Sequence, residues 1–109
     1  MNVFYDMEKA DISVEELPFS LDALMPRLQS LSSQFHEYDI SYWIRSDYMS
    51  KKYILTVHAE SDNYNQRASL LIDDQIVSCD TYAVCLCKSL TEELAQMRLV
   101  LDARKLIGV

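Results

Sequence analysis

The spacing of apolar positions changes period along the chain, and each change marks an element. Leu24, Leu28, Leu31 and Phe35 recur every three to four residues, which places one apolar stripe on a helix. Asp22 is suited to cap that helix, and Pro26 is tolerated only in a first turn, so the spacing predicts a helix over residues 22–37. The period then shortens to two. Tyr38, Ile40, Tyr42 and Ile44 alternate with Asp39, Ser41, Trp43 and Arg45. After the loop "SDYMSK", Tyr53, Leu55, Val57 and Ala59 alternate with Ile54, Thr56, His58 and Glu60. A second loop, "SDNYNQ", leads to Ala68, Leu70 and Ile72 alternating with Ser69 and Leu71, and "IDDQIV" reads as a tight turn into a short fourth strand, Ile76–Cys79.

Strand register is chosen to keep the apolar sets on one face. Setting Tyr42 opposite Leu55 pairs Ile40 with Val57 and Asp39 with His58. Setting Val57 opposite Leu70 pairs Glu60 with Arg67. Opposite charges then meet at one end of each hairpin, for a few tenths of a kcal/mol per pair, and the same register costs something where Arg45 faces Lys52.

From residue 80 the helical period returns. Ala83, Cys87, Leu90, Leu94, Met97 and Leu101 form a seam on one helical face over residues 80–107, with Asp80 as cap, Arg104 and Lys105 in the last turn and Gly108 as a stop signal. Ser89 with Glu92 also matches a capping box, which leaves the start open between Asp80 and Ser89. Residues 1–20 have no clean period. "NVFY" suits a short strand, Pro18 breaks any regular element near the end of the segment, and the whole stretch reads as an irregular acidic arm. The fold class is therefore α+β. A two-layer sandwich is expected, with an antiparallel meander of three or four strands over residues 38–79, flanked by the two helices, in a single domain of 109 residues.

Composition narrows the chemistry. The single glycine is Gly108, so no glycine-rich phosphate loop or dinucleotide-binding turn is present. The net charge is −7, and residues 1–22 hold six of the acids against Lys9 alone. That balance repels nucleic-acid phosphates and anionic membranes and suits a basic protein partner. No apolar run approaches the roughly 20 residues that span a bilayer, and the first residues lack the pattern of a secretion signal. Three cysteines, an odd number, point to reduced thiols and a cytoplasmic setting.

Cys79, Cys85 and Cys87 lie within nine positions, and they are the one cluster that resembles chemistry. On a strand they would share a face. On a helix Cys85 and Cys87 stand about 200° apart and cannot converge on one ion. Zinc would also have to recruit His36 or His58 from elsewhere. The helical seam favours cysteine as a small packing residue, so no metal and no cofactor are expected. The pairs Glu15–Glu16, Asp73–Asp74 and Glu92–Glu93 are sequence neighbours whose side chains diverge, so no catalytic residues and no enzyme activity are expected.

What remains is the face of the sheet turned away from the helices. There Trp43, Ile54 and Leu71 form an expected apolar patch, rimmed by Arg45 and flanked by Tyr48 and Tyr64 in the loops, with Glu15 and Glu16 on the arm. An exposed tryptophan with aliphatic neighbours and a charged rim has the composition of an association surface. Cover by the arm through Phe4, Tyr5, Ile12, Leu17 and Phe19 is the competing expectation. Surplus apolar residues of the last helix, Leu99, Val100, Leu106 and Ile107, suit a helix packed on more than one side, as in a homodimer. The sequence thus reads as a small acidic protein-binding module, acting as inhibitor, adaptor or chaperone on a basic surface. A thiol- or metal-dependent enzyme and a structural subunit of a larger assembly are the alternatives.

Overall fold

The structure, a computed structural model, describes residues 3–62, 64–77 and 80–106. Its elements run β1 (Val3–Tyr5), a 3-10 turn (Val14–Glu16), α1 (Leu24–Gln34), β2 (Asp39–Asp47), β3 (Lys52–Glu60), β4 (Asn65–Ile72), α2 (Asp74–Val77) and α3 (Thr81–Leu106). The α+β class holds. The sheet, in order β1-β2-β3-β4, is mixed: β2, β3 and β4 form the antiparallel meander, and β1 lies parallel beside β2.

The fourth strand therefore comes from the N-terminal arm and not from Ile76–Cys79. Parallel neighbours need a crossover connection, and α1 lies within it. At the expected strand, Asp73 Oδ1 accepts hydrogen bonds from the amides of Gln75 and Ile76, at 3.0 and 3.1 Å. That is an N-cap, and it closes the chain into the helical turn α2. Ile76 and Val77 pack against the core, while Ser78 and Cys79 lie outside the described residues.

Both hairpin registers differ from expectation by two residues. Tyr42 faces Val57 in place of Leu55, and Val57 faces Ala68 in place of Leu70. A shift of two leaves every side chain on its predicted face, so apolar pattern cannot detect it. Turn geometry decides. The observed pairing shortens both loops to four residues and sets Asp47 opposite Lys52. Asp47 Oδ1 accepts from the Met49 amide at 3.2 Å, Ser50 Oγ donates to Asp47 Oδ2 at 2.6 Å, and Lys51 takes the left-handed conformation at φ 58°. In exchange Asp39 now faces Glu60, both exposed, where like charges cost a few tenths of a kcal/mol.

Helix α1 buries Leu24, Leu28 and Leu31, with Phe35 just beyond its end, against the sheet face that carries Ile40, Tyr42, Ile44, Leu55 and Val57. The expected cap at Asp22 is not made: its own amide donates to Ser20 Oγ, and Ala23 precedes the first turn. The helix stops at Gln34, three residues short of expectation, and the backbone turns through Phe35–Tyr38 into β2. Helix α3 starts at Thr81 and runs through Ser89 without a break. Tyr82, Ala83, Leu86, Cys87, Leu90 and Leu94 are its buried residues. Its 26 residues span about 39 Å, longer than the 27 Å width of the body, and after Leu94 none of its described residues is buried.

Candidate protein-docking surface

The two sheet faces receive different cover. One face packs beneath α1 and α3 and belongs to the main core. The other carries Phe4, Ser41, Trp43, Arg45, Ile54, Thr56, His58, Arg67, Ser69 and Leu71, none of which joins that core cluster.

The arm crosses the edge of β2 and does not spread over the outer face. The amide of Asp6 continues the β1 ladder by donating to Tyr42 O at 2.9 Å. The chain then makes an excursion, closed by the Ala10 amide on Asp6 O, and returns where the Asp11 amide donates to Ile44 O. Beyond it, Ile12, Leu17 and Phe19 pack against the helix-side core, with the Phe19 ring 5.4 Å from Tyr53. Tyr5 also points inward, its ring edge-on to Tyr42 at 5.2 Å, which leaves Phe4 as the arm aromatic on the outer face, 51% exposed.

The expected exposure of Trp43 is not met: the indole is 6% exposed. Its cover is made of side chains. Lys9 Nζ, carried by the excursion, sits 4.6 Å from the indole centroid, and the Arg67 guanidinium lies at 5.4 Å. Both are placed to bond through the ring quadrupole while their apolar stems exclude water. The His58 ring meets the indole edge-on at 6.0 Å. His58 is itself buried, and its Nε2 has no hydrogen-bond partner among the described residues. Burial pushes its pKa below the ordinary imidazole value, and the positive charges of Arg67 and Lys9 push the same way against a weaker opposing pull from Glu60 and Asp6.

One row further along the strands, Arg45, Ile54 and Leu71 face one another across β2, β3 and β4. Leu71 is 40% exposed, Ile54 is half-buried and Arg45 is exposed. The β2–β3 turn closes this end of the sheet, with Tyr48 83% and Met49 95% exposed. The arm returns to the same end. Asp11 reaches Ser46, and the exposed Glu15 and Glu16 come next in the 3-10 turn, close enough for Glu15 to act on the Tyr5 phenol. Four of the eight predicted docking residues are thus gathered there: Arg45, Ile54, Leu71 and Tyr48; Glu15 and Glu16 are exposed on the arm between Ile12 and Leu17, which pack on the helix side. Trp43 lies one row inward under its cations. Tyr64 sits at the opposite end, half-buried against the core. Phe4, weighed in the sequence only as cover for this face, is itself exposed on it, and Met49 was missed by sequence reasoning; Met49 occupies the tip of a loop whose residues the sequence marks only as a turn.

The thiols are not brought to this surface. Cys87 packs in the helix-side core, where burial pushes its pKa up to about 11, which suppresses the thiolate. Cys85 is exposed on α3, and the sheet separates His58 from Cys87. Cys79 lies outside the described residues. Among the described residues no three His, Cys, Asp or Glu side chains gather in a way that could hold a metal ion, and no helix is long and apolar enough to cross a membrane.

A second concave region, a cleft of about 760 Å³, opens beneath the projecting end of α3. Arg98 spans it. Its Nε donates to Glu37 Oε1 at 2.9 Å, and its Nη2 donates to Glu37 Oε2 at 2.7 Å and to Gln34 O at 2.9 Å, capping the last turn of α1. Burial nudges the Glu37 pKa up, but the Arg98 and His36 contacts outweigh it and hold the carboxyl below its usual range. Arg98 is committed to structure here, clamping α1 to α3, while Arg104 and Lys105 also line the cleft. No family model matches the chain, and no curated protein matches it in sequence.

Proposed function

We propose that the chain is a small acidic protein-binding module that acts as a homodimer by docking, as an inhibitor, adaptor or chaperone does, with no bond-breaking chemistry of its own. The observation that carries this reading is the outer sheet face. Among the described residues no helix packs on it, yet it presents Phe4, Ile54 and Leu71 beside a turn that exposes Tyr48 and Met49. Aromatic and methionine side chains around an apolar centre are what association surfaces concentrate. Trp43 supports that surface from below, holding Lys9 and Arg67 in place.

Charge favours a partner with a basic surface. The net charge is −7, and Glu15 and Glu16 of the acidic arm are exposed. The homodimer draws support from α3, whose last three turns leave Leu99, Val100 and Leu106 exposed. Ile107, expected to share that role, lies outside the described residues. Affinity capture with identification of the bound protein tests the reading. Tyr48→Ala with Met49→Ser is expected to abolish capture, and Glu15→Lys with Glu16→Lys to weaken it in a salt-dependent way. Capture unchanged in both variants would overturn the assignment.

A further inference from the structure

We propose that two copies of the chain associate edge to edge through β4, in antiparallel order, to form one continuous sheet with both helix layers on the same side. The proposal rests on the homodimer reading and names the surface that makes the dimer.

The two edges of the sheet are treated differently. At the β1 side the terminal strand is three residues long, and the stretch of β2 beyond it is sealed by side chains. The Ile44 amide donates to the Tyr5 hydroxyl at 3.3 Å, and that hydroxyl donates to Ile12 O at 2.6 Å. The Ser46 amide is held by both oxygens of the Asp11 carboxylate, at 2.9 and 3.1 Å. Short strands, excursions and charged groups are the devices by which sheets avoid adding further strands.

Strand β4 is neither short nor interrupted by an excursion. It runs for eight residues, "NQRASLLI", without proline and with one charged residue. That residue, Arg67, folds back over Trp43 and does not guard the edge. Beyond β3, the elements packed on β4 are α3 and α2, on its inner face, and no described backbone group bonds to its outer edge. Gln66, Ala68 and Leu70 point toward the helix layer and still remain half-exposed, because the core stops at this edge.

An antiparallel edge is complementary to a second copy of itself. Keeping both helix layers on one side requires residues of equal parity to face each other. Ser69 opposite its own counterpart satisfies this over residues 66–72. It sets small Ala68 against Leu70 of the second copy, continuing the core across the junction, and it sets Arg67 against Leu71. The shift centred on Arg67 would pair only residues 65–69 and leave Leu70 and Leu71 of both copies without a counterpart. The Arg45–Ile54–Leu71 rows then lie on one uninterrupted outer face, so the docking patch extends across both copies.

Leu71 gives a test that separates this junction from any other. It is 40% exposed and faces outward, so the chain tolerates a charge there. The full chain is followed by sedimentation equilibrium, with circular dichroism to verify folding. Wild type is expected to dimerise. Leu71→Lys adds a lysine in register with Arg67 of the second copy, whose guanidinium lies back over its own Trp43, and the longer-range like charge is expected to raise the dimer dissociation constant about threefold or more. Leu71→Glu places carboxylates against the same arginines and is expected to dimerise at least as well as wild type. A monomeric wild type, or variants of opposite charge that weaken the dimer equally or not at all, would overturn the proposal. Wild type diluted below its dimer dissociation constant, probed with the partner it captures at high concentration, keeps the two readings apart. Capture retained alongside a failed edge test leaves the docking function standing without this dimer.

Discussion

The two edges of one sheet show how the same backbone chemistry is closed at one side and left available at the other. At the β1 side, two β2 amides that have no strand to pair with are bonded to the Tyr5 hydroxyl and the Asp11 carboxylate. At the β4 side, eight residues end the sheet, and among the described residues no backbone group bonds to their outer edge. The arm is therefore a closing device first. It blocks an edge, sends its apolar residues into the helix-side core, and touches the outer face through Phe4 and Lys9.

Breaking the closed edge should have the largest effect. Tyr5→Ala removes a ring packed on Tyr42 together with the hydroxyl that serves Ile44 and Ile12, and is expected to cost about 3 kcal/mol in urea unfolding. Tyr5→Phe keeps the ring and should cost about 1–2 kcal/mol, isolating the bridge. The phenol stays protonated well above neutrality because burial raises its pKa, outweighing the Ile44 bond that lowers it, so it remains a donor to Ile12 O throughout the working pH range. Asp11→Ala should cost about 1 kcal/mol, since the carboxylate and its amide donor are near the surface and water replaces part of the bond.

His58 adds a pH dependence on the outer face. Its pKa is depressed in the folded chain, so the unfolded chain binds the extra proton more readily. Stability is therefore full above about pH 6.5 and falls as the pH drops below that value toward the folded pKa. Unfolding midpoints at pH 7.5 and 5.5 should differ in wild type, and the difference should shrink in His58→Gln. A midpoint that rises on acidification would contradict the burial argument. Smaller still is Lys9→Ala. It should cost less than about 1 kcal/mol while shifting the emission of the one tryptophan to longer wavelength as water reaches the indole. On the open edge, Leu71→Lys should change monomer stability by no more than about 0.5 kcal/mol, since that side chain makes no closure.

The elements with strong period were legible in the sequence. The α1 stripe from Leu24 to Phe35 and the α3 seam through Leu94 are buried as the spacing requires, and alternation placed the residues of β2, β3 and β4 on their correct faces. What sequence could not supply were long-range bonds between unlike partners. The hydroxyl of Tyr5 answering an amide 39 positions away leaves no periodic trace, so the arm read as irregular. Register failed for a related reason, because pairings that differ by two residues preserve every face and are decided by loop closure around Asp47 and Ser61. Ile76–Val77 looked strand-like by composition, and the carboxylate of Asp73 overrode it. At the candidate site the face was foreseen and its cover was not. Lys9 read as the lone base of an acidic segment, and only the excursion after β1 carries it onto Trp43.

Residue-resolved amide hydrogen exchange, measured at low and high protein concentration, reads the closed and open edges in one experiment. The Ile44 and Ser46 amides are expected to be protected to the same degree at both concentrations, because the chain closes that edge by itself. Amides of Asn65–Ile72 that face away from β3 should exchange fast when dilute and gain protection as the concentration rises. Exchange in β4 that ignores concentration, or concentration-dependent protection at the β1–β2 side, would refute the assignment of one sealed and one open edge.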